Sequence, residues 1–255
     1  MKRSWRAAGP VLLVLALAVT GCDAPDSPTA GGSTATSARP APSPSPSPSV
    51  PPPVVKPKVS KDTLNYFYKI ALGAEYGDKV NVVIKWAQPV VTIKVDGSVS
   101  GSSRKCLNRV ISDFNALTET TDLRITGNPG ADIKFHFAPV SRFKKLEPEY
   151  VPGNDGFFYV TWRGDHTISS STVLIRTTGI SSSIRCHLIR EELTQTMGLM
   201  SDSTEHTDSV FYGRYTPAPT KYSALDKRLI KLLYGGAVKP GDGKKEVARA
   251  VVVTG

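Results

Sequence analysis

The segment 183–202, SIRCHLIREELTQTMGLMSD, decides how the rest of the chain is interpreted. Its apolar residues recur at helical spacing, which predicts an amphipathic helix over 183–198. The face expected to be buried carries Cys186, Ile189, Leu193, Thr196 and Met197. The opposite face carries Ile184, Leu188, Glu191 and Gln195. Because two apolar residues flank the polar pair there, we expect this second face to be partly covered, as in the wall of a cleft.

The same segment resembles the zinc-protease motif H-E-x-x-H-x-x-G-x-x-H, whose three histidines bind the metal. Here Glu191 and Gln195 stand at the two helical ligand positions, and Ser201 stands at the third. Only Glu192, at the general-base position, and Gly198, where the chain must turn, are kept. Ligands at i and i+4 share one helix face and can bind one ion, but zinc prefers nitrogen and sulfur to these oxygens. The resemblance therefore implies a metalloprotease scaffold that lacks its zinc site.

Two further interpretations concern metal and catalysis. An atypical peptidase or hydrolase could still use Glu192 as its base, with an unusual metal that activates the water or with no metal. A replacement metal site could draw on His187, Glu191 and His206, although nothing in the sequence fixes His206 near the helix. We expect no cofactor, and zinc only under the hydrolase alternative.

Polar residues that replace metal ligands more commonly hydrogen-bond to other polar residues of the protein. We expect Glu191 and Gln195 to hydrogen-bond Ser201, Asp202 or a neighbouring arginine, Arg185 or Arg190, because buried polar groups need partners.

The N-terminus has the features of a bacterial lipoprotein signal. Basic residues precede a short apolar run, 11–19, that is too short for a stable transmembrane helix. Val19-Thr20-Gly21-Cys22 resembles the lipobox, whose cysteine is acylated and becomes the new N-terminus. We expect a signal peptide at 1–21 and a lipid anchor on Cys22, which would place the protein at the outer face of the cell membrane.

Residues 22–59 form a predicted Pro/Ser-rich disordered tether, because Ser-Pro repeats favour extended chain and offer no core. One domain is expected over 60–255. The formal charge is +10 and falls to +7 when Lys2, Arg3 and Arg6 leave with the signal. The cations are scattered, which favours an anionic envelope surface such as wall polymer or lipid over nucleic acid. We expect a monomer.

Two cysteines remain after lipidation, Cys106 and Cys186. Both lie on predicted apolar helix faces, and an oxidising compartment favours their joining in a disulfide over two free buried thiols.

Helical periodicity predicts helices at 62–73, from Ser102 or Ser103 to 118, at 183–198, at 225–234 and at 244–252. Strands are predicted at 80–84, 90–95, 123–126, 133–137, 157–162 and 172–176. The span 141–156 is predicted to be a loop.

This order resembles the metzincin branch of the zincin fold. Ala131-Asp132-Ile133 and the residues after it resemble a matrixin strand, and Ser209-Val210-Phe211-Tyr212 resembles the matrixin Met-turn, with Phe211 in place of methionine. Asp226 and Leu232-Leu233-Tyr234-Gly235 resemble the closing matrixin helix. The resemblance implies an α+β fold with a mixed, mostly parallel sheet of about five strands, an active-site-type helix and a helical C-terminal subdomain.

A closer resemblance is to domain-of-unknown-function family 2927. It is carried by the Glu-Glu-Leu-Thr-Gln helix, by 198–203, and by Lys239-Pro240-Gly241 after a Leu-Tyr helix end. Ala71-Leu72-Gly73-Ala74-Glu75 adds to it. The family has no established activity, so the resemblance bears on the fold. We expect an inactive metalloprotease-like domain whose cleft, lined by Glu191, Gln195, Ser201, Asp202 and Phe211, binds a peptide, a wall component or a partner protein.

Overall fold

A five-stranded sheet organises the domain in the computed structural model, which describes residues 56–72, 80–214 and 216–254. Its strands are β2 (Val90–Gly97), β3 (Asp122–Ile125), β4 (Ile133–Ala138), β5 (Gly156–Trp162) and β6 (Ile168–Arg176), in the order β3-β2-β4-β6-β5. Every neighbouring pair is parallel except β5 with β6, which is antiparallel. The predicted α+β class, with a mixed and mostly parallel sheet of about five strands, is therefore confirmed.

The helices begin at serines that satisfy their first backbone N–H groups. Side chains of Ser60, Ser100 and Ser181 accept these bonds at the starts of α1 (Lys61–Ala71), α2 (Gly101–Asn115) and α4 (Ser182–Gln195). Helix α5 (Ala224–Tyr234) starts with a capping box made by Ser223 and Asp226. The short helices α3 (Phe143–Leu146) and α6 (Lys244–Ala250) complete the set in the described residues.

The main core lies between the sheet and helices α2 and α4. Alternate residues of β4, Ile133, Phe135 and Phe137, are buried in it, as period-two side-chain direction requires. A smaller cluster contains Phe143, Tyr150, Phe157, Leu174 and Ala138. Residues Phe157 and Phe158 of β5 therefore belong to different clusters, so both faces of this edge strand are packed.

The predicted cysteine pair is confirmed. Cys106 of α2 and Cys186 of α4 form a disulfide with a Cα–Cα distance of 5.7 Å. It joins the two helices that cover the sheet.

The strand predicted at 80–84 is wrong. This stretch makes only isolated bridges, Val82 with Gly243 and Lys85 with Thr167. Val83 and Ile84 are buried in the core, which accounts for the apolar pattern of this stretch. Such a pattern does not establish that a neighbouring strand is present to pair with it.

The chain ends also differ from prediction. The last helix stops at Ala250, and Val252–Thr254 forms strand β7, which pairs in parallel with β1 (Lys58–Ser60). Lys58 and Val59, assigned above to the tether, are thus paired strand residues. The span 141–156 contains α3 and a 3₁₀ turn at Val140–Arg142 as well as loop.

Several predictions lie outside the described residues: the signal peptide, the lipid site Cys22, most of the tether and the motif residues Gly73-Ala74-Glu75. Among the helices that are described, none is both long and apolar enough to cross a bilayer.

Candidate functional site

Helix α4 passes through the interior of the domain. Every residue from His187 to Leu199 is buried, so the expected division into a buried face and a partly covered face is wrong. The sequence analysis predicted one side of the helix to face a cleft, whereas the 201–222 region and the sheet enclose both sides. Polar side chains on this helix therefore require polar partners within the protein.

Glu191, at the first ligand position, lies beside a histidine one turn earlier. His187 Nε2 is 3.5 Å from Glu191 Oε2, and both side chains are almost fully buried. The other ring nitrogen, Nδ1, is 2.8 Å from the carbonyl oxygen of Pro219, which can only accept a hydrogen bond. Nδ1 therefore carries a hydrogen, and a hydrogen bond between Nε2 and the carboxyl group requires one additional proton on the pair. This arrangement ties the first ligand position to the 219–222 segment.

Gln195, at the second ligand position, donates from Nε2 to Asp202 Oδ1 at 2.7 Å. Gln195 is 1 % exposed, so the bond is shielded from water on the glutamine side. At the third ligand position, Ser201 donates its backbone N–H to the carbonyl oxygen of Ile70 at 3.1 Å. Thus the polar contact predicted between Gln195 and Asp202 is present, and Ser201 attaches the same region to the end of α1.

Glu192, at the general-base position, lies beneath the first residue of β5. Its side chain has no exposed surface. A Cβ atom added to Gly156 would lie 2.5 Å from Glu192 Oε1 and 3.0 Å from Leu188 Cδ2. The glycine therefore allows the edge strand to approach α4 closely at this carboxylate.

Helix α4 ends at Gln195, so the helix predicted over 183–198 is about one turn too long. Gly198, the other retained motif residue, lies in the turn that follows. Its φ is +107°, a conformation that favours glycine, and an added Cβ would collide with the carbonyl oxygen of Ile84. The neighbouring carbonyl groups are also satisfied, since Trp86 Nε1 donates to Thr196 and the Tyr234 hydroxyl donates to Met197.

The turn that resembles the Met-turn packs in the same core as α4. Phe211 has no exposed surface and belongs to the main core, so it is a packing residue in this structure. In the same turn, Ser209 Oγ donates to Asp226 Oδ1 at 2.6 Å, and the Val210 N–H donates to Asp226 Oδ2 at 3.1 Å. Burial raises the pKa of the Asp226 carboxyl above its usual value, while these hydrogen bonds act in the opposite direction.

His206 lies elsewhere, with its ring 4.6 Å from the ring of Tyr66 on α1. Among the described residues, no three His, Cys, Asp or Glu side chains are grouped as metal ligands would be. Of the proposed trio His187, Glu191 and His206, the structure brings His187 and Glu191 into contact and places His206 beside Tyr66.

The sequence analysis did not predict that Arg190 connects several elements of the fold. Its side chain is fully buried, donates to Asp113 Oδ2 at 2.6 Å and to the Thr220 carbonyl oxygen at 2.9 Å, and lies 4.3 Å from the centre of the Tyr222 ring. It therefore links α4 to α2 and to the 219–222 segment. Arg185 instead donates to the carbonyl oxygens of Arg176 and Thr177. A signal was present, because Arg190 lies in the middle of a helix whose neighbouring turns are apolar enough to be buried, and a buried arginine needs an acidic partner.

Comparisons with solved structures find two structures of myroilysin. Both have 11 % sequence identity and a TM-score of 0.41 with this chain. The match covers 60 % of this chain and 82 % of myroilysin in one structure, and 59 % and 85 % in the other. A comparison with curated protein sequences finds no match.

A protein-family model covers nearly all of the described domain. The model, described as "Protein of unknown function (DUF2927)", matches residues 60–252. This confirms the resemblance carried by the Glu191–Gln195 helix and by the segments around it. The chain therefore belongs to the DUF2927 family.

Proposed function

We propose that this protein is a non-enzymatic binding protein of the cell envelope, held at the outer face of the cell membrane by a lipid on Cys22. Its domain uses the zincin-like helix as a structural element. The ligand is a peptide, a wall polymer or a partner protein. The export signal, the Pro/Ser-rich tether and the excess of positive charge support this location.

The hydrogen bond from Gln195 to Asp202 is the observation that carries the non-enzymatic part of the proposal. A ligand position in a zinc protease must offer a lone pair toward an open space where the ion binds. Here the side chain at that position is 1 % exposed and its amide N–H is directed to a carboxylate. The carboxylate of Glu191 is likewise in contact with another polar side chain, that of His187. These residues stabilise the helix by polar pairing.

Because Glu191, Glu192 and Gln195 are all buried, a ligand would contact the residues that cover α4 and not the helix itself. This modifies the expectation that these side chains line the binding cleft. Asp202, which is partly exposed, is the predicted cleft residue most accessible to a ligand.

One observation favours the second candidate, a hydrolase. Glu192 lies directly beneath the edge strand β5, which is where a base would act on a chain bound along that edge. The complete burial of Glu192 gives this candidate less support.

A metal-binding experiment separates the two candidates. The purified full chain, dialysed without chelator, should contain no stoichiometric zinc and should hydrolyse no peptide mixture in a chelator-sensitive manner. The triple variant Glu191→His, Gln195→His, Ser201→His should bind one zinc per chain, and the double variant without Ser201→His should bind it at least tenfold more weakly. Circular dichroism establishes that each variant is folded.

Stoichiometric zinc in the native chain, or chelator-sensitive hydrolysis that is abolished by Glu192→Gln, would overturn the non-enzymatic proposal. A folded triple variant that binds no zinc would show that the three positions do not converge as they do in zincins.

A further inference from the structure

A surface pocket lies between α1 and the 203–209 loop, apart from the buried residues of α4. Its volume is about 400 Å³, and its lining consists of Asp62, Asn65, Tyr66, Lys69, Glu205 and His206. Small-molecule pockets typically have volumes of about 300–1,000 Å³. We infer that this opening, the α1 pocket, binds a sugar ring of an envelope glycan. The inference deepens the proposed function and rests on it for the location where such a glycan is met.

The aromatic wall of the α1 pocket is held in place by a buried hydrogen-bond chain. The Tyr66 hydroxyl donates to Ser209 Oγ at 3.3 Å, and Ser209 Oγ donates to Asp226 Oδ1 at 2.6 Å. Tyr66 is buried, and the partly exposed ring of His206 packs against it edge to face. The exposed part of the His206 ring is the surface against which the apolar C–H face of a sugar ring would pack. The wall is therefore formed before any ligand arrives.

The rim supplies the hydrogen-bonding groups that a hydroxyl-rich ring requires. Asp62 and Asn65 are exposed and lie one helical turn apart on α1, so they share a face. The carboxylate accepts two hydrogen bonds side by side, and the amide both donates and accepts. Across the pocket, Lys69 Nζ is 2.6 Å from Glu205 Oε1, which joins α1 to the loop. Donors and acceptors are thus spread around the rim, as vicinal hydroxyl groups require.

The charge of the α1 pocket selects the class of ligand. The lining contains two carboxylates, Asp62 and Glu205, and one ammonium group, Lys69, so its net charge is negative. Lys69 is already paired with Glu205. A phosphate or carboxylate ligand would meet net repulsion here, whereas a neutral sugar or an amino sugar would not. The α1 pocket therefore fits a neutral or amino sugar unit better than an anionic polymer.

Binding is tested with the purified full chain and two soluble probes, the trimer of N-acetylglucosamine and the trimer of glucose, by NMR titration. We expect saturable shifts in α1 and in the 203–209 loop with at least one trimer. The double variant Asp62→Ala, Asn65→Ala should bind at least tenfold more weakly. The matched control Asp208→Ala, an exposed acid of the same loop outside the lining, should bind within twofold of the native chain. A second variant, His206→Ala, removes the wall and should also weaken binding at least tenfold.

Several results would overturn the inference. These are the absence of saturable binding of either trimer, binding that both pocket variants retain, shifts located away from the α1 pocket, or binding of a dipeptide such as Ala-Ala in place of both trimers. The readout is independent of the zinc and hydrolysis experiment. Failure here would leave the non-enzymatic proposal standing, and hydrolytic activity would refute that proposal without changing the binding result.

Discussion

Substituting Gly156 by alanine tests the contact between the edge strand β5 and the carboxylate of Glu192. The added methyl group would lie 2.5 Å from Glu192 Oε1, and 3.0 Å from both Glu192 Cγ and Leu188 Cδ2. Neither side chain can swing into solvent, because both have no exposed surface. The strand and the helix must therefore separate, or the carboxylate must move within the core.

The expected loss of stability follows from two opposing effects. Overpacking of a well-filled core typically costs about 1–3 kcal/mol. Replacement of glycine by alanine also restricts the unfolded chain, which stabilises the folded state by about 0.4–1 kcal/mol. We therefore expect Gly156→Ala to lower the free energy of unfolding by about 1–2 kcal/mol.

Urea denaturation of the full chain measures this change. Gly164→Ala is the matched control, because a Cβ there would meet nothing within 4 Å, so only the unfolded-chain effect remains and we expect it to raise the free energy of unfolding by about 0.4–1 kcal/mol. In a Glu192→Ala background the nearest colliding atoms are gone, so the loss caused by Gly156→Ala should shrink by about 1 kcal/mol. If Gly156→Ala is no more destabilising than Gly164→Ala, or costs the same in both backgrounds, then β5 does not lie over Glu192 as described.

Three further predictions use other parts of the chain. Cys22→Ser should release the protein from membranes in fractionation, and a variant that remains fully membrane-bound would exclude lipidation as the anchor. Replacing Cys106 and Cys186 together by alanine should lower the free energy of unfolding by up to about 4 kcal/mol, because the disulfide closes a loop with a sequence separation of 80 residues; free thiols in the exported native protein would contradict the pairing. Burial lowers the pKa of Lys85 from 10.5 to about 8, so between these values the unfolded chain holds a proton that the folded chain has lost, and stability rises with pH. From pH 7 to about 9.5 the free energy of unfolding of the native chain should therefore rise by up to about 2 kcal/mol relative to that of Lys85→Met, as measured by urea denaturation. A constant or falling difference would show that the carbonyl groups of Leu233 and Val238 hold the proton on Lys85.

The sequence was most informative where the signal is local. Helix α4, the turn at Gly198 that follows it and the disulfide were predicted from periodicity, a glycine and cysteine placement, and all three are present. The pairing of β1 with β7 was not predictable in this way. Its strands have three residues each and lie at opposite ends of the domain, so neither an alternation of apolar and polar residues nor a connecting turn predicts them.

The candidate site was only partly predictable, because its environment depends on tertiary contacts. The hydrogen bond between Gln195 and Asp202 was foreseen from the exchange of ligand residues for polar ones. The burial of both faces of α4 was not foreseen, since it depends on how the 201–222 region folds over the helix. Asp113, the partner of Arg190, lies 77 residues away on α2, and nothing in either local pattern identifies it.

The turn around Ser209 connects the core, which it shares with α4, to the α1 pocket. On one side it buries Phe211 in the core beneath α4, and on the other its Ser209 hydroxyl accepts the hydrogen bond from Tyr66, which supports the His206 wall. Asp226 fixes this turn from α5 through two hydrogen bonds. Glu191 and Gln195, on the helix that shares this core, are each in contact with another polar side chain, His187 and Asp202 respectively. The hydrogen bonds that fix this turn therefore also hold Tyr66, a lining residue of the α1 pocket, in place.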